Sequence, residues 1–201
     1  NNNRSSPTQV GTDTTWSDSF DIGDAVSVTA VKTDGTLWSW GAQTDGQLGQ
    51  NEKSSPSKRG YSSPVQVGTD TTWAGAKIAH GSQSFGYVKT DGTLWMIGRN
   101  NYGKLGISGA GTNSRSSPTQ VPGTTWANIS GSYSTTIATK TDNTMWVWGN
   151  NNDGAFGMSD PVAVNASRSS PIQLPGTDWD AQGDDKLTAD QTVSQAMKGT
   201  A

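Results

Sequence analysis

Short runs in which apolar residues alternate with Thr, Ser or Lys recur along the chain, and each breaks at a turn pair. The clearest is Val26-Ser27-Val28-Thr29-Ala30-Val31, answered across Asp34-Gly35 by Leu37-Trp38-Ser39-Trp40. Alternation of period two predicts strands with one face against a core. Asp-Gly between two such runs predicts a tight hairpin, of the type I′ class if both central residues take positive φ. The pattern returns twice. Phe85-Gly86-Tyr87-Val88 leads through Asp91-Gly92 into Leu94-Trp95-Met96-Ile97, and Thr136-Ile137-Ala138-Thr139 leads through Asp142-Asn143 into Met145-Trp146-Val147-Trp148. Asn143 stands where Gly is expected, Asn being the next most tolerant of positive φ. No window sustains an i, i+3, i+4, i+7 apolar pattern, so helices are expected to be nearly absent.

The hairpins sit inside a longer repeat. Ser-Ser-Pro opens four alternating runs, at Ser5, Ser62, Ser116 and Ser169, and their prolines (Pro7, Pro64, Pro118, Pro171) are 57, 54 and 53 residues apart. Proline fixes φ at a strand entry, where its missing N–H does least harm. A Gly-Thr turn and a Trp follow each run (Trp16, Trp73, Trp126, Trp179), then a Gly/Ser-rich passage that leads into the hairpin. Past the hairpin come glycines at matched points, with Leu48, Leu105 and Phe156 ahead of the last of each set, where a hydrophobe plugs the loop from beneath. The units divide at 1–61, 62–114, 115–167 and 168–201, the last losing the pattern after Trp179. A unit of about fifty residues with about four short strands predicts an all-β fold of propeller blades. Because Trp38, Trp40, Trp95, Trp146 and Trp148 recur, packing between blades is the simpler reading than a ligand platform. Asp34-Gly35, Asp91-Gly92 and Asp142-Asn143 are accounted for by turns.

Composition narrows the chemistry. Nine Trp among 201 residues argue for a packed core, and the net charge of −3 with scattered Lys and Arg gives no basic stripe for nucleic acid. No apolar run approaches the ~18 residues of a membrane span. With no Cys, disulfides, thiolate chemistry and Cys-based zinc sites are all excluded. His80 is the only His and is read at the start of a strand; without a matched Ser or Cys it is no catalytic base. Asp45-Gly46 and Asn150 to Gly154 offer oxygen atoms but lack the spacing and closing Glu of a calcium loop. The acidic group Asp178, Asp180, Asp184 and Asp185 reads as a solvated edge. No cofactor, metal or catalytic residue is expected.

The run Asp-Gly-Thr-Leu-Trp-Ser-Trp-Gly at 34–41, followed by Gly46-Gln47-Leu48-Gly49-Gln50-Asn51, resembles the repeat of the regulator of chromosome condensation family. The wording Ser-Ser-Pro-x-Gln-Val with Gly-Thr-Thr-Trp is similar to repeats of this type in bacterial and phage proteins. The resemblance implies a seven-bladed propeller of four-stranded blades. About three and a half units do not close such a ring, so the chain is expected to be a piece of a longer protein, ahead of an assembly of copies or an open arc with covered ends.

Function is expected in the loops, since propeller sheets supply a frame. Gln50 to Tyr61, carrying Lys53, Lys58, Arg59 and Tyr61, is an insertion relative to its counterparts, and Met158 to Arg168, with Asp160, is a second variable loop. The expected role is a non-enzymatic structural or adhesive module on a phage virion or bacterial surface. Its partner is another structural protein, a host-surface molecule or further blades, with neither nucleic acid nor a membrane span. The resemblance also implies a second role, a soluble inhibitor of β-lactamase or a nucleotide-exchange regulator of a small GTPase. A surface-polysaccharide hydrolase is the weakest reading, because it needs a carboxylate pair.

Overall fold

A computed structural model of the protein describes residues 5–24, 26–52, 60–108, 111–158 and 167–179, with the backbone of two short strands at 187–189 and 194–196. Three antiparallel sheets of four strands form, each with its strands in sequence order. The first sheet contains β1 (Trp16–Gly23), β2 (Ser27–Lys32), β3 (Leu37–Ala42) and β4 (Gly60–Gln66). The second contains β5 (Lys77–Gly81), β6 (Ser84–Val88), β7 (Leu94–Gly98) and β8 (Arg115–Val121). The third contains β9 (Trp126–Gly131), β10 (Thr135–Lys140), β11 (Met145–Gly149) and β12 (Arg168–Gln173). A short hairpin of β13 (Leu187–Ala189) and β14 (Ser194–Ala196) lies against β9 and β10. Among the described residues the only helical elements are single 3₁₀ turns at Asn101–Gly103 and Asn152–Gly154.

The cores lie between sheets. Val31, Leu37 and Val67 of the first sheet pack against Trp73, Phe85, Tyr87 and Ile97 of the second. Val88, Leu94, Met96, Leu105 and Val121 of the second pack against Trp126, Ile129, Ala138 and Trp148 of the third. Strand β6 is buried at every position because it has a sheet on either side. Each sheet is therefore a blade, with a leading face toward the blade before it and a trailing face toward the blade after it. β1 lies against β5, and β5 against β9, so the first strands converge on the inner edge of the arc.

The blades are out of phase with the sequence units at 1–61, 62–114, 115–167 and 168–201. The Ser-Ser-Pro runs at Ser62, Ser116 and Ser169 lie in β4, β8 and β12, the outermost strands of the blades that precede them. Proline fits there because an edge strand has one row of N–H groups with no neighbour to bond. The Gly/Ser-rich passages, in turn, are the inner strands β1, β5 and β9. Small residues are needed where inner strands meet: a Cβ on Gly131 would lie 2.5 Å from the His80 carbonyl oxygen.

The hairpin turns differ from the type I′ expectation. Only Gly35, Gly92 and Asn143 have positive φ, at 81°, 78° and 62°, and the preceding Asp does not. Gly35 N–H donates to the Lys32 carbonyl and Lys32 N–H to the Thr36 carbonyl, both at 2.9 Å, giving a three-residue loop that ends in a left-handed residue. Asp34 serves through its side chain instead, Oδ1 accepting from Thr36 N–H at 3.0 Å and Thr36 Oγ1 at 2.6 Å. Asp91 and Asp142 repeat the arrangement with Thr93 and Thr144. A Cβ on Gly92 would lie 2.3 Å from the Thr124 carbonyl oxygen of the next blade. Gly92→Ala should therefore cost more than about 2 kcal/mol in urea unfolding, the left-handed penalty plus a backbone clash. Asn143→Gly should change stability by less than about 1 kcal/mol.

Candidate functional site

Each blade holds the same cluster of ionisable and aromatic groups beneath its hairpin. The Thr that bonds the turn Asp also accepts from an indole N–H: Trp38 to Thr36 at 2.7 Å, and Trp95 to Thr93 and Trp146 to Thr144 at 2.9 Å. The Lys that opens each hairpin lies between two indoles. Its Nζ stands 3.7 Å from the ring centre of Trp38 and 5.0 Å from that of Trp16, 3.9 Å from Trp73 and 4.9 Å from Trp95, and 4.2 Å from Trp146 and 4.8 Å from Trp126. The ring quadrupole attracts the cation, and the indoles strip it of water. In the first two blades a carboxylate completes the set, with Lys32 to Asp13 at 2.6 Å and Lys89 to Asp70 at 2.5 Å. The third blade has Pro122-Gly123-Thr124 at that place and supplies no Asp. Hydrogen bonds from the partner Thr, side chain first and backbone second, hold Asp34, Asp91 and Asp142 below the usual carboxylate range. Trp40 and Trp148 occupy the same register on β3 and β11, and Trp148 donates from Nε1 to the Lys104 carbonyl at 2.8 Å.

Two further groups work at the seams. His80 lies next to the end of β5 rather than at the start of a strand, and Nδ1 is 3.1 Å from Asp21 of β1. That hydrogen bond raises the imidazole pKa against the opposing effect of burial. Lys104 is 2% exposed. Its ammonium donates to the Ser82 carbonyl of the second blade and, at 3.1 Å, to the Tyr133 carbonyl of the third. Burial, helped by the nearby Arg99 charge and opposed by Asp24 and Asp45, pulls its pKa from 10.5 down to about 8.

The β3–β4, β7–β8 and β11–β12 connections join the same two strands of each blade at its rim, and the described parts of the first two, at 43–52 and at 99–108 with 111–114, lean onto the outer strand of the next blade. Asn51 N–H donates to the Ser116 carbonyl at 2.8 Å, and the Ser108 and Ser170 hydroxyls meet at 2.8 Å. Buried amides hold the loops from beneath: Asn100 accepts from Leu105 N–H at 2.9 Å, and Asn151 accepts from Phe156 N–H at 3.0 Å. Tyr61 lies at the start of β4, paired with Gly41 in the ladder, and its hydroxyl donates to Glu52 Oε2 at 3.2 Å. Ladder pairing of Gly60 and Tyr61 absorbs part of the extra length of that connection. Arg168 opens β12, paired with Gly149, and Met158 packs against the trailing face of the third blade. Lys53, Lys58, Arg59 and Asp160 lie outside the described residues. Between the 99–114 connection and β12 is an open cavity of about 530 Å³, lined by Asn101, Tyr102, Thr112, Ser167 and Ser169. Tyr102 is 44% exposed there. Among the described residues no three His, Asp or Glu side chains converge as a metal site would require.

Residues 34–83 and 91–138 match the regulator of chromosome condensation (RCC1) repeat. Those two stretches carry the RCC1 repeat pattern. Its backbone is similar to yeast RCC1 (Prp20) seen in complex with Kap60, with a TM-score of 0.68 and 18% identity over 79% of this chain and 37% of that one. It is similar also to Saccharomyces cerevisiae Prp20p (TM-score 0.73, 17% identity, 90% of this chain and 44% of that one). Human WBSCR16 gives a TM-score of 0.67 at 18% identity over 90% of this chain and 44% of its own. The chain thus spans about two fifths of the length of these RCC1-type structures, and at such identities the likeness is one of fold. No curated protein sequence matches the chain.

The three lysines each precede Thr-Asp at a fixed place, but the sequence alone does not show that they lie between indoles. Nothing in the sequence marks the burial of Lys104, which stands where the first blade has Gln47. Lys89→Ala should cost about 2–4 kcal/mol in chemical denaturation, because it removes both ring contacts and the partner of Asp70. Lys140→Ala, whose Lys has ring contacts without an ion pair among the described residues, should cost about 1 kcal/mol. For Lys104 the folded state releases its proton first, so between pH 8 and 10.5 the unfolded chain binds more protons. Stability relative to Lys104→Met should rise through that window by up to about 1.4 kcal/mol per pH unit, read as the difference between two urea titrations.

Proposed function

We propose that the chain is a non-enzymatic binding module that presents variable loops on a propeller frame. One observation carries the reading. In all three blades the same Asp, Thr, Trp and Lys side chains are engaged with one another, so the ionisable groups of the repeat serve the frame. What differs between blades collects in the rim connections, where Tyr102 offers an exposed ring beside hydroxyl and amide groups. Aromatic rings flanked by polar groups suit partner recognition.

The finer reading is a structural or adhesive component of a phage virion or bacterial surface, bound to another structural protein or to a host-surface molecule. It is supported by the Ser-Ser-Pro-x-Gln-Val wording and by a low-charge composition rich in Asn, Thr, Ser and Gly. A second reading, a soluble inhibitor or regulator, is favoured by the solved RCC1-type proteins: Prp20 was seen with Kap60 and studied for binding to Gsp1p and histones. Polysaccharide hydrolysis finds less support, because Asp34, Asp91 and Asp142 are each committed to a turn.

Quantitative proteomics of purified particles, envelopes and soluble fractions from the source tests the first reading. The protein should be found in particles or envelopes. Tyr102→Ala and a chimera with the 43–59 connection replaced by 99–114 should keep their melting temperature yet lose at least about tenfold in binding to that surface. Recovery only from the soluble fraction, with inhibition of a β-lactamase or acceleration of nucleotide exchange, would overturn it.

A further inference from the structure

The β7–β8 connection departs from its counterparts at one residue. Tyr102 stands in a 3₁₀ turn, ahead of Gly103, where the other two connections have Asp45-Gly46 and Asp153-Gly154. Neither Asp needs an unusual backbone, whereas Tyr102 sits in the left-handed region at φ 60° and ψ 12°. That region is unfavourable for a bulky side chain. The frame gains little in exchange. The ring is 44% exposed, and its hydroxyl has no hydrogen bond among the described residues. Strain held at a residue that the fold does not require is a mark of ligand sites.

The surroundings of the ring are polar and uncommitted. Gly103 lets the turn press against β12, since a Cβ on it would lie 2.5 Å from the Ser169 Cα. Tyr102 and Ser169 thereby share the open cavity described above, with Ser167 two residues ahead of Ser169. Asn101 and Thr112 line it from the connection itself. Among the described residues the side chains of Asn101, Thr112, Ser167 and Ser169 make no hydrogen bond. The first seam repeats the contact, a Cβ on Gly46 falling 2.7 Å from the Ser116 Cα, but it has Asp45 in place of the ring.

We propose that this cleft binds a neutral carbohydrate, a polymer of hexopyranose units, with Tyr102 as its stacking platform. The proposal rests on the reading of the chain as a binding module and names the ligand of that module. A pyranose ring has a face of C–H bonds and a perimeter of hydroxyl groups. An exposed phenol ring matches the face. The Asn amide and the Ser and Thr hydroxyls both donate and accept, as a sugar perimeter requires. No described lining residue carries a charge, so the cleft has nothing to neutralise a phosphate, sulfate or uronate. Tyr102 is also the one large hydrophobic side chain in the lining, whereas a protein partner is anchored best in a packed apolar pocket. The volume of about 530 Å³ lies within the ~300–1,000 Å³ of small-ligand sites, and the open side lets a polymer run on past the bound unit.

The test is biolayer interferometry of the full chain on immobilised dextran, galactan and mannan, with polygalacturonate and phosphomannan as acidic counterparts. At least one neutral polymer should bind and neither acidic one should. Tyr102→Gly, which relieves the left-handed strain, and Tyr102→Asp, which installs the residue of the first blade, should each weaken binding at least about tenfold. Their melting temperatures should stay the same or rise, a pairing that a structural role for Tyr102 would not give. Tyr102→Phe should bind within about threefold of the parent, because the ring is the platform. Binding to none of the neutral polymers, equal binding to the acidic ones, or binding that Tyr102→Gly leaves intact would overturn the proposal. Its failure is distinct from that of the surface reading. If Tyr102-dependent binding to the native surface persists while every neutral polymer fails, the ligand is a protein and the module reading stands. If a neutral polymer binds through Tyr102 while the protein is confined to the soluble fraction, the carbohydrate site stands and the surface role falls.

Discussion

The blades are held to one another by a carbonyl at the tip of each hairpin. Gly35 accepts from the Trp73 N–H at 3.1 Å, Gly92 from the Trp126 N–H at 3.0 Å and Asn143 from the Trp179 N–H at 3.2 Å. The left-handed conformation at the end of the loop turns that carbonyl outward and brings the next chain segment into backbone contact. A residue with a Cβ in ordinary geometry cannot occupy the first two places, since the next blade's backbone lies within 2.3 Å of where the Cβ would be. The same bond fixes the entry of each Trp, whose ring then caps the seam. Local turn chemistry and long-range assembly are one constraint, and the rest of the arc depends on it.

From that latch the burial pattern follows. A blade between two others is covered on both faces, so β6 is buried throughout while β1, at the open end, shows the alternation of a half-exposed strand. The lysine held between indoles belongs to the same device. It stacks beneath the hairpin that carries the latch and, in the first two blades, ties the Asp-Thr segment ahead of that blade's own first Trp to the hairpin. With the frame determined by repetition, variation collects in the rim connections, which send Leu48, Leu105 and Phe156 into the buried interior while their outer residues differ from blade to blade.

Much of this was legible in the sequence because it is local. Alternation around Asp-Gly gives the hairpins, the glycine sets give the rim turns, and Leu48, Leu105 and Phe156 prove to be the buried plugs beneath them. What was not legible depends on contacts between units. The Ser-Ser-Pro run begins each sequence unit yet closes the previous sheet, and adjacency along the chain does not reveal which neighbour a strand joins. The turn class is not legible because Asp-Gly is shared by two loop types, and only the Thr that follows distinguishes the one in which Asp acts as an acceptor. The Gly/Ser passages concealed the inner strands, since the smallness that weakens strand propensity is what close approach of inner strands requires. Of the candidate binding residues, Tyr61 and Arg168 prove to begin strands, because ladder pairing with Gly41 and Gly149 extends into what reads as loop.

The central claim, that hairpin-tip carbonyls latch one blade to the next, is tested most directly by native-state hydrogen exchange of the Trp73 and Trp126 amides. The account predicts that both exchange only through global unfolding, with the same denaturant dependence as the core amides of β6 and β10. Exchange of these two amides at the rate of the exposed turns, while β6 and β10 stay protected, would show that the blades are held by side-chain packing alone and would contradict it.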